Sequence, residues 1–389
     1  MRLPFDADID ISVDHSYQGP YTLALLWSYE LLGKALRQMI NLKAFEWLYP
    51  ESLLFDVNSD VIQPFSNQGS SPKQIEGLGL VTAADTFDSG KSVISFIRTC
   101  HELKYLKLQT NDQALVGDLM SLCRWPKLQV LNLDIADDPS EPPTEECIRD
   151  FIAYHSSLVS LTWYISLHMN DLPLPILSFN SLPHLVAVDG SADDIWPIIL
   201  SPCTPPRPLE KITRFPTAAE FWSRPERSFQ SISKSSLRIV AIAVKQVSQL
   251  TELAAHFPNI ECINLTGSEI YQQSITWDDE APDAVKKALT SLSSFTNLRV
   301  ILGFRFWDYR EPEEMRETPR RREYFRWVHT LLPRLEFCSV GFRDGIEFIR
   351  EGNDVSWKWF GLPSSSGEYA RSNRERDFTI REERDQFAS

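Results

Sequence analysis

Residues 125–134 read Trp-Pro-Lys-Leu-Gln-Val-Leu-Asn-Leu-Asp. Leu128, Leu131 and Leu133 place apolar side chains at positions 1, 4 and 6 of a short segment, with strand alternation over its second half and a turn-forming Trp-Pro before it. Successive strand side chains point to opposite faces, so Val130, Asn132 and Asp134 face away from these leucines.

The same spacing recurs along the chain. It is read at Leu42/Phe45/Trp47, Ile75/Leu78/Leu80, Leu103/Leu106/Leu108 and Leu158/Leu161/Trp163. More degenerate units follow at Leu185/Val188/Gly190, Leu209/Ile212/Arg214, Leu237/Val240/Ile242, Ile260/Ile263/Leu265, Leu298/Ile301/Gly303 and Leu335/Cys338/Val340. In Gly190, Arg214 and Gly303 the third apolar residue is lost.

Between these units lie runs with helical apolar spacing: Leu25–Met39, Val93–Cys100, Leu115–Cys123, Cys147–Tyr154, Leu250–Phe257, Val285–Phe295 and Tyr324–Leu332. Proline stops several of them before the next strand, as in Phe257-Pro258 and Leu332-Pro333. Helix, break and strand in fixed order is the signature of leucine-rich repeats. The expected fold is α/β: an irregular leucine-rich-repeat solenoid of about eleven repeats, its concave parallel sheet backed by convex helices. Burying three rung side chains per repeat, at roughly 1.5–3 kcal/mol each, supplies the driving force. The domain reading is an N-terminal strand and helix cap over 1–39, repeats over 40–345, a C-terminal cap over 346–363 and a charged, disordered tail over 364–389.

Composition excludes several function classes. The 389 residues are 43% hydrophobic and 24% charged, as a folded core with a solvated surface requires. A net charge of −14 argues against an electrostatic grip on nucleic acid or an anionic membrane. The residues after Met1 lack a signal-peptide pattern, and apolar runs such as Val240–Val244 are far too short to span a bilayer. Six cysteines without a C-x-x-C pair read as reduced, mostly buried thiols, so the expected location is cytoplasmic or nuclear.

No catalytic pattern emerges. The chain has no glycine-rich phosphate loop, no G-x-S-x-G elbow and no H-E-x-x-H helix, so no enzyme activity, cofactor or metal is expected. Asp6, Asp8 and Asp10 alternate as in a calcium loop, but Ile11 and Tyr17 stand where glycine and the last acidic ligand belong. His101, His155, His184 and His256 precede the first repeat position by one to four residues, where an imidazole can pair with free helix carbonyls. Arg316, Arg320, Arg321, Arg322 and Arg326 are interleaved with glutamates, as on a solvated helix face. Pro202–Pro208 is too proline-rich for a regular element and is expected to replace a convex helix by an extended crossing.

Alternation defines the concave surface on which a protein partner would be read. Its polar and aromatic part comprises Tyr105 and Lys107, then Val130, Asn132 and Asp134, then Thr162 and Tyr164. Its later, apolar part includes Cys262, Val300, Phe304 and Phe337. Such a surface needs a cover: either a partner supplies it, or the segment around Trp357, Trp359 and Phe360 folds back over it, which is the favoured expectation because solenoid ends need covering.

The strands L-K-Y-L-K-L, P-K-L-Q-V-L-N-L, F-P-N-I-E-C-I-N-L and L-P-R-L-E-F-C-S-V, with irregular loops between them, resemble the divergent fungal F-box and F-box-like proteins with leucine-rich repeats over about residues 40–345. The resemblance implies a protein-interaction scaffold. It also implies the alternative of a substrate receptor in a Skp1-cullin-F-box type ubiquitin ligase, where an N-terminal F-box binds the adaptor and the repeats hold the substrate. Here Leu3-Pro4-Phe5-Asp6 leads into a strand pattern instead of a recognisable F-box, so a Skp1-type adaptor is expected only if the box is encoded upstream.

Overall fold

A computed structural model describes residues 43–47, 75–82, 94–110, 113–135, 143–165, 175–215, 222, 229–266, 268, 283–304, 319–339, 345–351 and 354–360. The predicted helix Leu25–Met39, the aspartates near the N-terminus and the tail from 364 lie outside them. The chain divides into two compact units, Met1–Leu237 and Arg238–Ser389.

The first unit is built on seven strands: β1 (Ala44–Trp47), β2 (Gly77–Thr82), β3 (Tyr105–Thr110), β4 (Val130–Ile135), β5 (Ser160–Ile165), β6 (Ala187–Gly190) and β7 (Lys211–Phe215). They pair in chain order and all in parallel. The helical residues 94–99, α1 (Gln113–Leu122), α2 (Glu145–Tyr154) and α3 (Ala192–Leu200) alternate with the strands. In the second unit β8 (Ile239–Ile242), β9 (Cys262–Asn264), β10 (Val300–Leu302) and β11 (Phe337–Ser339) pair in the same parallel, sequential way. They alternate with α4 (Val247–His256), α5 (Asp283–Leu292) and α6 (Pro319–Leu331). Each unit is thus a repeat α/β arrangement.

Strands β1–β11 correspond one to one with the eleven sequence units, and each begins two residues after its first apolar position. The register follows from this phase. In the first unit Gly77, Tyr105, Val130, Ser160, Ala187 and Lys211 lie side by side, and in the second Ile239, Cys262, Val300 and Phe337 do. A shared acceptor fixes the stacking: Gln129 and Val130 N–H both donate to the Lys104 carbonyl, at 2.8 and 2.9 Å, and Arg299 and Val300 N–H both donate to that of Glu261. Leu128, Leu131 and Leu133 are fully buried, as are Leu103, Leu106 and Leu108.

At Lys43, Glu76 and Lys104 in the first unit and at Arg238, Glu261 and Arg299 in the second, the residues at these shared acceptors carry alternating charge. Glu76 lies between Lys104 and Lys43, at 2.8 and 3.5 Å, and the hydrogen bond and charge of Lys104, with that of Lys43, hold its carboxyl below the usual range. In the second unit Glu261 meets Arg238 at 3.6 Å and Arg299 meets Glu336 at 2.8 Å through a two-nitrogen fork. These exposed pairs contribute little each but penalise a slipped register, which would set like charges side by side.

Four expectations need correction. A helix, α3, does occupy the interval between β6 and β7; Pro197 within it disguises the pattern, and the extended crossing of 202–208 follows the helix without replacing it. Inside that crossing Arg207 is fully buried and its guanidinium donates to the carbonyls of Ser181, Ile198 and Ser201, closing the end of α3. The segment around Trp357, Trp359 and Phe360 does not lie across the sheet. It forms β13 (Asp354–Phe360), which with β12 (Gly345–Glu351) extends the sheet antiparallel from β11, because paired edge groups satisfy more backbone polarity than a flap over side chains.

The other two corrections concern the missing third apolar residues. At the end of β7 Arg214 adopts φ 66°, so Thr213 and Arg214 both point outward and Phe215 turns into the core at 1% exposure. After β10 Gly303 adopts φ 68° and Phe304 becomes fully buried. One left-handed residue therefore delays the third apolar position by one place. Phe215 packs with Phe229 and Trp222 at centroid distances of 5.9 and 6.1 Å.

Candidate functional site

The outward faces of β3–β7 carry the polar part of the predicted surface. Tyr105, Lys107, Val130, Asn132, Asp134, Thr162 and Tyr164 are all half-buried and lie on three adjacent strands. Lys107, Asn132 and Thr162 share one row, and Asp134 stands beside Tyr164 in the next. Phe304 leaves the set: the left-handed Gly303 turns it into the core. Phe337 is half-buried on β11 in the second unit. Cys262 and Val300, expected on the open face, are 9% and 6% exposed. Ile239 and Phe337 flank them in the same row.

The first row continues into β6 and β7 through Asp189 and Thr213. The hydroxyls of Tyr164 and Thr213 both donate to the same Asp189 oxygen, Oδ1. Burial, then the hydrogen bond and charge of Asp189, push the Tyr164 phenol up to about 12, so it stays protonated and remains a donor. The Arg214 guanidinium lies 5.1 Å from the centre of the Tyr164 ring. Asp189, Thr213 and Arg214 were absent from the predicted surface. Strand alternation applied to the sixth and seventh repeats would have placed the first two there, but Arg214 occupies an inward place in the ideal pattern.

Magnitudes show that Arg214 is not explained by packing. A left-handed backbone costs a non-glycine residue roughly 1–2 kcal/mol. Burial of Phe215 returns about 1.5–3 kcal/mol, but glycine at 214 would secure that burial without the strain. The exposed cation–π contact returns only about 0.5–1 kcal/mol.

The junction histidines divide. His101 and His184 are exposed. His155 is fully buried; its Nδ1 lies 2.7 Å from the Phe151 carbonyl and its Nε2 accepts the Trp125 N–H at 3.1 Å. It is therefore neutral, with Nδ1 carrying the proton, and burial depresses it to about 4. The six cysteines form no disulfide; burial pushes Cys100 and Cys123 up to about 12, which leaves both as inert thiols. Among the described residues no cluster of His, Cys, Asp and Glu is arranged to hold a metal ion, and no helix is long and apolar enough to cross a membrane.

Fold and face together define a repeat α/β protein that presents one row-ordered, polar and aromatic sheet surface in its first unit. Compared with known proteins, the chain matches no family model, and no curated protein matches it.

Proposed function

We propose that the chain is a non-enzymatic protein-interaction scaffold of the leucine-rich-repeat type, similar to the fungal F-box-like proteins, and that it binds a protein partner on the outward face of β3–β7. The observation behind this reading is the alignment of Tyr105, Lys107, Val130, Asn132, Asp134, Thr162 and Tyr164 on adjacent strands of one phase-locked sheet. A rigid surface with aromatic and hydrogen-bonding side chains loses little conformational freedom on binding. A photo-crosslinking residue at Thr162 of the full chain is expected to capture a discrete polypeptide in cells, with Tyr164→Asp abolishing the adduct. Equal capture from Asp150, exposed on α2, would overturn the reading.

A second reading, the substrate receptor of a Skp1-cullin-F-box type ligase, is favoured by the repeat strands quoted above; the same face would then hold the substrate. Stoichiometric recovery of a Skp1-type adaptor with the cellular protein would select it, and recovery of the crosslinked partner without adaptor would exclude it.

A further inference from the structure

We propose that Arg214, seated on Tyr164, is the anchor of this face and takes a single carboxylate side chain from an extended segment of the partner. The inference rests on reading the β3–β7 face as an interaction surface.

Arg214 is exposed and makes no ion pair with any carboxylate among the described residues. It shares that state with Arg98, Lys234 and Lys245, whereas Lys43, Lys104, Lys127, Arg149, Arg238 and Arg299 each meet a glutamate; what Arg214 has besides is the Tyr164 ring. Asp189, in register with the preceding Thr213, spends one oxygen on the hydroxyls of Tyr164 and Thr213. Asp189 thereby fixes the phenol ring, and the ring fixes the guanidinium 5.1 Å above it. The result is a planar fork of donors held near an aromatic ring and open to solvent, a group that recognises a carboxylate through two parallel hydrogen bonds. The left-handed backbone at 214 is retained for a residue with a long side chain where glycine would suffice.

Charge decides between anions. Asp134 lies beside Tyr164 in register, Asp189 is in the same cluster, and the whole chain carries −14. One singly charged carboxylate balances the Arg214 guanidinium. A doubly charged phosphate, or a nucleic-acid backbone, would meet the two aspartates at short range. Lys107 and Lys211 supply further cations on the same face. From β3 to β7 the row spans four strand spacings, or about 19 Å, the reach of roughly six extended residues. A short extended segment with one Glu or Asp over Tyr164 therefore fits.

The test is a peptide array of ten-residue random sequences with a central Glu, each paired with its Gln and phosphoserine versions, probed with the purified full chain. Wild type is expected to prefer Glu over Gln by about tenfold, the worth of a charge-assisted pair. Arg214→Gly should erase the preference at an unchanged melting temperature, and Arg214→Lys should keep only part of it, having charge without the fork. Equal retention of Glu and Gln peptides, a preference that survives Arg214→Gly, a preference for phosphoserine, or an array on which wild type retains nothing would each overturn the proposal. The Thr162 crosslink separates the two levels: an adduct that persists in Arg214→Gly sinks the anchor and keeps the interaction face, whereas absence of any adduct on the face removes both.

Discussion

The ends of β7 and β10 solve one packing problem with different residues. In both, a left-handed residue inserts an extra outward position and swings a phenylalanine inward: Arg214 at φ 66° before Phe215, and Gly303 at φ 68° before Phe304. At 303 the choice is forced, since a Cβ there would sit 2.4 Å from the backbone nitrogen of Thr266. At 214 the backbone accommodates a side chain. The core requires only the backbone conformation, so the identity of residue 214 was open to selection for what its side chain does outside.

The largest effects should come from breaking the shared device. Exchange of Gly303 for Arg, copying β7 into β10, is expected to cost about 4 kcal/mol or more, because the obstacle is backbone and cannot rotate away. Phe304→Ala and Phe215→Ala should each cost about 3–5 kcal/mol in urea unfolding, as for other buried aromatics. A Phe304→Ala cost under about 1 kcal/mol would return Phe304 to the open face, where simple alternation puts it, and the parallel between the two ends would fail.

A second contrast between the units lies three residues before the first apolar position. Cys100, Trp125, His155 and Leu182 fill it in the first unit and Phe257, Phe295 and Leu332 in the second, all buried. Of these only the imidazole titrates below neutral pH. His155 is depressed from its ordinary 6.5 to about 4, so between these values the unfolded chain binds the extra proton. Its contribution is therefore complete above pH 6.5 and is lost as pH falls toward 4, a loss on the order of 3 kcal/mol. Urea midpoints of wild type and His155→Gln, compared at pH 7 and pH 4, should show that much less acid sensitivity in the variant. Identical acid sensitivity would mean that carboxylates elsewhere dominate and that this polar substitution does not distinguish the first unit.

These contrasts also mark how far the sequence could be read. Leucine spacing located every one of β1–β11, because burying positions 1, 4 and 6 leaves the backbone one way to stack. Pro197 concealed α3, since proline scores against a helix although Ile195, Ile198 and Ile199 still bury one face. The delayed phenylalanines escaped because a single left-handed residue breaks period-two counting without a compositional mark, least of all when that residue is arginine. The Tyr164–Asp189–Thr213 contact joins residues about 25 apart, and only the register of β5, β6 and β7 brings them together.

The smallest expected effect is the most diagnostic. Arg214→Gly removes roughly 1–2 kcal/mol of backbone strain, but it forfeits about 0.5–1 kcal/mol of cation–π contact and adds about 0.5–1 kcal/mol of chain entropy to the unfolded state. These terms cancel to within about 1 kcal/mol, so the urea midpoint should scarcely move. Arg214→Val keeps the strain, aggravates it with a branched Cβ and loses the stacking, and should cost about 1–2 kcal/mol. If Arg214→Gly instead destabilised the chain by more than about 2 kcal/mol, the guanidinium would be holding β7 together and its selection would be structural. If it is neutral while Gly303→Arg is ruinous, the two ends share a backbone device, and the arginine at one of them is kept for what it meets in solvent.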